Sequence, residues 1–187
     1  MNTFHLRVVG IGGQGTVHMA KTLAAAAAES GVRVTMIERP RSAMRLGPIT
    51  CDLCFNDDSF APFIVPGDAD AVLGMEPLDG VMNAEYYIKK SGTVVLQSVE
   101  TPTVDEFVLV QRDSRRDEWK QELMNHGVRV VTLTPEGEDM AGRNYYMLGA
   151  FMRLCPQLPV SVEAVEKQLA GQSRNLEMLR RGLQAEA

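Results

Sequence analysis

The stretch Val8-Val9-Gly10-Ile11-Gly12-Gly13-Gln14-Gly15-Thr16 decides the fold of this chain. It follows the apolar run 4–9, which predicts a buried strand, and it precedes the alanine-rich segment 19–29, which favours a helix. A strand, a glycine loop and a helix in this order form an anion-binding turn. Glycines permit positive φ, and the first amides of the helix point outward with the positive end of its dipole. We therefore predict that the loop binds a phosphate or a carboxylate.

Two alternatives to this prediction come from the same loop. Gly10, Gly12 and Gly15 satisfy the dinucleotide-binding pattern G-x-G-x-x-G, and Glu38 ends a second predicted strand, where such a domain places its ribose-binding acid. An NAD-dependent dehydrogenase is therefore one alternative, although the additional Gly13 does not fit its pattern well. The other alternative is an interaction module in which the loop binds no ligand and only packs a helix on a sheet.

Composition places the chain among ordinary globular proteins. Its 187 residues fit one domain, 1–187, with 45% hydrophobic and 23% charged residues. The net charge of −5 and the aromatic content of 6% argue against nucleic acid as a partner. No segment is long and apolar enough to span a membrane, and no secretory signal is visible, so we expect a cytoplasmic protein.

The segment 39–48 contains three arginines and two prolines and is predicted to be a loop at the carboxyl end of the second strand. Open α/β sheets bind ligands at this edge, and arginine side chains suit phosphates and carboxylates. Arg41 and Arg45 are therefore candidate ligand or partner contacts, or else exposed residues of a solvated loop.

The cysteines and histidines indicate no catalytic or metal site. Cys51 and Cys54 form a C-x-x-C pattern, but residues three apart in a strand lie on opposite faces, and Cys155 is the only other thiol. Three thiols are fewer than a closed zinc site or an iron–sulfur cluster usually needs, so we predict structural cysteines and no metal ligands. His18, beside the glycine loop, is a further candidate for ligand contact.

Repeated alternation of strands and helices predicts a three-layer α/β/α domain with a largely parallel sheet and a helical C-terminal third. A helix over 78–89 is expected to stop at Lys90-Ser91-Gly92. A short helix is expected over 119–125, and the charged segment 113–118 is expected to be an exposed helix start. The helix over 145–152 is apolar on nearly every side, so we expect it to be buried or covered by a partner. Further predicted strands cover 49–55, 69–75, 93–97 and 128–133, and two more helices follow Ser161 and Asn175.

Several segments together resemble a known family, the gamma subunits of the 2-oxoacid:ferredoxin oxidoreductases, and within it the beta subunit of indolepyruvate ferredoxin oxidoreductase. The resemblance covers nearly the whole chain in the family's order. The segments that carry it are Gly10-Ile11-Gly12-Gly13-Gln14-Gly15-Thr16, Leu73-Gly74-Met75-Glu76-Pro77-Leu78, Lys90-Ser91-Gly92-Thr93-Val94-Val95, Asn144-Tyr145-Tyr146-Met147-Leu148-Gly149-Ala150 and the C-terminal stretch from Asn175 to Gly182.

This resemblance implies a division of labour between subunits. In such enzymes thiamine diphosphate with magnesium forms the carbanion of the 2-oxoacid, 4Fe-4S clusters carry electrons to ferredoxin, and coenzyme A accepts the acyl group. Those centres belong mainly to a larger catalytic subunit, so we expect none bound tightly by this chain and no catalytic residue in it. The oligomeric state is left open by the sequence, and the apolar helix over 145–152 is compatible with a partner surface, for example in a homodimer.

The resemblance also suggests a candidate site. We expect an anion-facing edge for coenzyme A or the partner subunit, formed by Gly10, Gly12, Gly13, Gln14, Gly15, Thr16, Arg41 and Arg45. One departure lies next to it, because the family usually has Arg-Gly-Gly where this chain has Arg45-Leu46-Gly47 followed by Pro48.

Overall fold

The computed structural model describes residues 3–40, 47–57, 63–99, 106–135 and 141–186. The strands within these ranges are β1 Phe4–Ile11, β2 Val34–Pro40, β3 Pro48–Phe55, β4 Ala69–Gly74, β5 Ile88–Gln97 and β6 Arg129–Leu133. The helices are α1 Thr16–Glu29, α2 Pro77–Tyr87, α3 Glu106–Asn125, α4 Arg143–Leu154, α5 Val162–Gln168 and α6 Ser173–Leu183.

All six strands form one mixed sheet in the order β2-β3-β1-β4-β5-β6. The pairs β1–β4, β4–β5 and β5–β6 are parallel, whereas β3 runs antiparallel to both β1 and β2. Only residues 41–47 connect β2 to β3, which is too short for a crossover helix, so β3 has to return antiparallel. The carboxyl ends of β1, β4 and β5 therefore share one edge of the sheet.

Helices cover both faces of the sheet, which confirms the predicted three layers and the helical C-terminal third. One buried cluster joins α1, α4, α5 and α6 to the face that carries Leu6 and Val8. A second cluster joins α2 and α3 to the opposite face, which carries Val9 and Val72. None of the described helices is long and apolar enough to cross a membrane.

Some predicted boundaries were wrong. The segment Lys90-Ser91-Gly92 does not end α2 but lies within β5. The helix ends earlier, because Ile88 is already extended and buried. Ser91 has a positive φ of 66° and lies at an irregularity in the pairing of β5 with β4. The charged segment 113–118 lies in the middle of α3, which begins at Glu106. The ends of the predicted loop 39–48 belong to β2 and β3.

The C-x-x-C thiols diverge as predicted. Cys51 packs into the cluster with α1, and Cys54 packs into the cluster on the opposite face. Burial, as the largest cause, raises the pKa of Cys51 and of Cys54 to about 12. It also raises the pKa of Cys155, to about 11. Because Cys51 and Cys54 are buried on opposite faces of the sheet, they do not form a redox pair.

The apolar helix α4 is buried within this chain, by α6 and α1. Its crossing with α6 is close, because a Cβ atom at Gly149 would overlap the carbonyl oxygen of Leu179, and one at Gly182 would overlap that of Tyr146. The two helical backbones touch at these glycines. The apolar face of α4 is therefore satisfied without a partner.

Gly182→Ala is expected to destabilise the chain by about 3 kcal/mol, because a helical backbone offers little room for the added methyl group. Guanidinium unfolding measures this loss. Arg181→Ala, at an exposed neighbouring position of α6, is the control and should cost less than about 1 kcal/mol. Equal stability of the two variants would contradict the close crossing.

Candidate functional site

The glycine loop joins β1 to α1 at the carboxyl edge of the sheet. β1 ends at Ile11 and α1 begins at Thr16, so four residues reverse the chain direction. Gly13 and Gly15 take positive φ values of 97° and 74°, which side chains disfavour. Gly15 is the N-cap of α1 and contributes no side-chain cap to the amides of the first turn. The predicted strand–loop–helix arrangement is therefore present, with an uncapped helix N-terminus.

Three segments that are far apart in the sequence meet at this loop. Gln14 Oε1 accepts a hydrogen bond from the Ile11 amide at 2.9 Å, and Gln14 Nε2 donates to Glu76 Oε2 at 3.2 Å. From the C-terminal helices, Asn144 Nδ2 donates to the Gly15 carbonyl at 3.2 Å. The glycine loop, the Glu76-Pro77-Leu78 segment and the segment that begins with Asn144 thus form one hydrogen-bonded unit.

Close packing beneath the loop explains why Gly10 is a glycine. A Cβ atom there would overlap Thr16 Oγ1 and would lie 2.7 Å from Gln14 Oε1 and 3.1 Å from Met75 Cβ. The Thr16 hydroxyl is buried and has no hydrogen-bond partner among the residues that the structure describes. Gly10 therefore serves packing, whereas Thr16 keeps an unused donor and acceptor under the loop.

An open cleft of about 460 Å³ lies against the outer side of the loop and the first turns of α1. Its lining combines loop backbone, two groups able to carry positive charge and some apolar surface, from residues Ile11, Gly13, Gly15, Thr16, Val17, His18, Lys21 and Ile49. The first turn of α1 carries no acidic residue. An uncapped helix N-terminus beside a lysine favours an anionic occupant.

The structure brings together most of the predicted site residues. Gly10 and residues 12–16 form the loop, and the Gly12 amide donates to the Gly47 carbonyl at 3.1 Å. The side chain of Gln14 is used within the protein, because it bonds to Ile11 and Glu76 rather than facing the cleft residues. Arg41 and Arg45 lie outside the described residues.

The sheet order disfavours the dinucleotide alternative. In a dinucleotide-binding fold the strand after the first helix pairs directly with β1, which brings its terminal acid to the glycine loop. Here β3 lies between them, so Glu38 pairs with Cys51 and Cys51 with Val8. Glu38 is thus two strand spacings, about 9.6 Å, from β1. Its carboxylate forms an ion pair with Lys21 at 3.5 Å.

Sequence reasoning about single motifs missed three residues of the site. Glu76 is 6% exposed and Asn144 is 8% exposed, and both hold the loop from other elements. Lys21 reaches the cleft from the second turn of α1. The family-like segments contain Glu76 and Asn144, so the signal was present, but only the folded chain shows that the segments converge.

Gln14→Glu is expected to destabilise the chain by about 2 kcal/mol, because it sets a carboxylate against the buried carboxylate of Glu76. The matched control is the double variant Gln14→Glu/Glu76→Gln, which restores a donor–acceptor pair. Denaturant unfolding of the two single variants and the double variant gives the coupling energy, which should favour the double variant by at least about 1 kcal/mol. Additive effects would show that the two side chains do not interact.

The known sequences that match this chain all belong to oxidoreductases. The family model described as pyruvate ferredoxin/flavodoxin oxidoreductase matches residues 5–185. The indolepyruvate oxidoreductase subunit IorB of Thermococcus kodakarensis is 25% identical over 173 residues, which cover 89% of this chain and 85% of that protein. The IorB subunit of Pyrococcus horikoshii is 30% identical over 104 residues, covering 56% of this chain and 51% of that protein.

Solved structures share the fold. The pyruvate oxidoreductase subunit PORC of Thermotoga maritima has a TM-score of 0.67 at 21% identity. That match covers 99% of this chain and 97% of the PORC chain. The 2-oxoglutarate:ferredoxin oxidoreductase of Magnetococcus marinus, solved with 2-oxoglutarate, coenzyme A and succinyl-CoA, has a TM-score of 0.72 at 17% identity. That match covers 98% of this chain but 31% of the larger protein.

Proposed function

Since the chain belongs to the pyruvate ferredoxin/flavodoxin oxidoreductase family, we propose that it is the small, non-catalytic subunit of a 2-oxoacid:ferredoxin oxidoreductase complex. The complex would oxidatively decarboxylate a 2-oxoacid, pass the electrons to ferredoxin and transfer the acyl group to coenzyme A. The curated relatives of this chain are subunits of indolepyruvate oxidoreductases, which makes indolepyruvate or another aryl pyruvate the substrate to test first.

The residues of the chain agree with a non-catalytic role. Its three cysteines are fewer than one 4Fe-4S cluster usually requires, and all three are buried. No nucleophile–base pair lies among the cleft residues that the structure describes. Thiamine diphosphate, magnesium and the iron–sulfur clusters would therefore be held by a larger catalytic subunit.

The contribution of this chain would be its glycine loop. We propose that Gly10, Gly12, Gly13, Gln14, Gly15 and Thr16, together with Arg41 and Arg45, form an edge that binds the phosphates of coenzyme A. The observation that carries this proposal is the uncapped N-terminus of α1, which opens on a cleft beside Lys21.

The roles within this edge would differ. Gln14 would position the loop through Ile11 and Glu76, whereas the backbone of Gly13 and Gly15 would approach the ligand closely. Gly47, which follows Arg45 by two residues, accepts a hydrogen bond from Gly12. This bond joins the end of the arginine segment to the loop and supports placing both in one site.

The subunit assignment is tested by affinity purification of the tagged chain from its own host under anaerobic conditions. We expect a larger partner in stoichiometric amount, with thiamine diphosphate and iron in the purified complex. Native mass measurement also counts the copies of this chain and so tests the homodimer. Purification of the chain alone, with a bound dinucleotide, would overturn the assignment and favour a dehydrogenase.

Lys21→Ala tests the proposed coenzyme A edge in the assembled complex. Losing one phosphate contact should raise the KM for coenzyme A about 10-fold, equivalent to about 1.4 kcal/mol, without changing the KM for the 2-oxoacid. Lys90→Ala makes the same charge change at an exposed position where β5 begins, away from the loop, and should leave both constants unchanged.

Two results would contradict the proposed edge. An unchanged KM for coenzyme A combined with weaker assembly would show that the edge contacts the partner subunit instead. If Arg45→Ala changed neither assembly nor turnover, the arginine segment would have no part in the site. Gel filtration of each variant complex distinguishes loss of assembly from loss of ligand affinity.

A further inference from the structure

A second group of functional side chains lies at the opposite end of β1. His5 is the second residue of β1, and six steps of about 3.3 Å along the strand lead from it to Ile11, so this group is about 20 Å from the glycine loop. His5 and Cys54 are directly paired across β1 and β3, which places their side chains on the same face of the sheet. Asp57 follows the end of β3.

His5, Cys54 and Asp57 have converging ligand atoms. One imidazole nitrogen, the Sγ atom and one carboxylate oxygen all lie within 4.8 Å of one another, and His5 Nε2 is 3.1 Å from Asp57 Oδ2. Tetrahedral zinc with a thiolate and an imidazole separates such atoms by about 3.5 Å. The three side chains therefore need only small adjustments to bind one ion.

The other nitrogen of His5 is already oriented. His5 Nδ1 lies 2.8 Å from Asp68 Oδ2 and 3.2 Å from the Asp68 carbonyl, both of which are acceptors. A proton on Nδ1 satisfies this contact and leaves the lone pair of Nε2 directed toward Asp57. A histidine that ligates a metal usually donates its other N–H to a carboxylate or a carbonyl in this way.

Negative charge surrounds the histidine. Besides Asp57 and Asp68, Asp70 accepts a hydrogen bond from the His5 amide at 2.7 Å. Lys89 contacts both Asp68 and Asp70, at 3.6 Å and 2.9 Å. His5 Nε2 faces Asp57 Oδ2 across 3.1 Å, so a cation between them would contact both atoms.

We propose that His5, Cys54 and Asp57 bind one zinc ion. A thiolate, an imidazole and a carboxylate are all zinc ligands, and three of them leave one tetrahedral position for water. Cys54 and Asp57 line an open cleft of about 430 Å³, from which the ion and the water would enter. The ion would tie β1, β3 and the segment after β3 together, and this inference does not depend on the proposed function.

The cysteine spacing alone predicts no such site, because it considers only thiols. Cys51 points to the opposite face, so the partners of Cys54 are a histidine from β1 and an aspartate three residues further along. The thiol of Cys54 is buried, so zinc binding has to displace its proton.

Cobalt titration of the full, metal-free chain tests the site, because cobalt replaces zinc in tetrahedral sites and gives a near-ultraviolet charge-transfer band when a thiolate is bound. We expect one equivalent of cobalt with this band, displaced by one equivalent of zinc. Cys54→Ser should abolish the band, and Cys54→Ser and His5→Gln should each weaken zinc binding at least about 100-fold. Asp68→Asn should weaken it about 10-fold.

Cys51→Ser is the matched control, since it removes a buried thiol from the same strand on the other face and should keep both the band and the affinity. Circular dichroism identifies any variant that fails to fold. If a ligand variant does not fold, Asp68→Asn still tests the site, because it leaves His5, Cys54 and Asp57 unchanged and removes only the acceptor at His5 Nδ1. The proposal is overturned if the folded chain gives no thiolate band, or if zinc binding survives both Cys54→Ser and His5→Gln. Either result would leave His5 as a hydrogen-bonded partner of Asp57 and Asp68.

Discussion

The turn from β1 into α1 is the constraint on which the rest of the structure depends. Four residues reverse the chain, and the positive φ values at Gly13 and Gly15 leave no side chain to cap the helix. The loop is therefore stabilised from outside, by Gln14 bonded to Glu76 and by Asn144 bonded to Gly15. The shape of the loop therefore depends on contacts with Glu76, which follows β4, and with Asn144 in α4.

The C-terminal helices therefore help to position the glycine loop, although they are far from it in the sequence. Asn144 reaches Gly15 because α4 is held against α1, where Tyr145 OH contacts Thr22 Oγ1 at 2.8 Å. α4 in turn is fixed by its glycine-mediated crossing with α6. The backbone–backbone contact at Gly149 and Gly182 thus sets the position of Asn144, the side chain that supports the loop.

Local features of the fold could be predicted from the sequence, whereas strand pairing could not. The glycine loop, the buried α4 and the cap at Ser161, which accepts a hydrogen bond from the Ala164 amide, each depend on neighbouring residues. Ser91 lies within β5 because of an irregularity in the pairing of β5 with β4. The residues around Ser91 do not predict that pairing. The same applies to the buried pair of Arg7 and Asp52, which face each other only because β3 is inserted beside β1.

That insertion also separates the two interpretations of the glycine loop. A glycine pattern, a helix and an acid after the next strand are shared with dinucleotide-binding domains, so the local sequence leaves both open. The decisive difference is that β3 separates β1 from the strand that carries Glu38. Glu38 lies two strands from β1 and its carboxylate pairs with Lys21, so the positive charge at the loop itself comes from the dipole of α1. A helix N-terminus without a nearby ribose-binding acid favours an anionic group rather than a ribose hydroxyl.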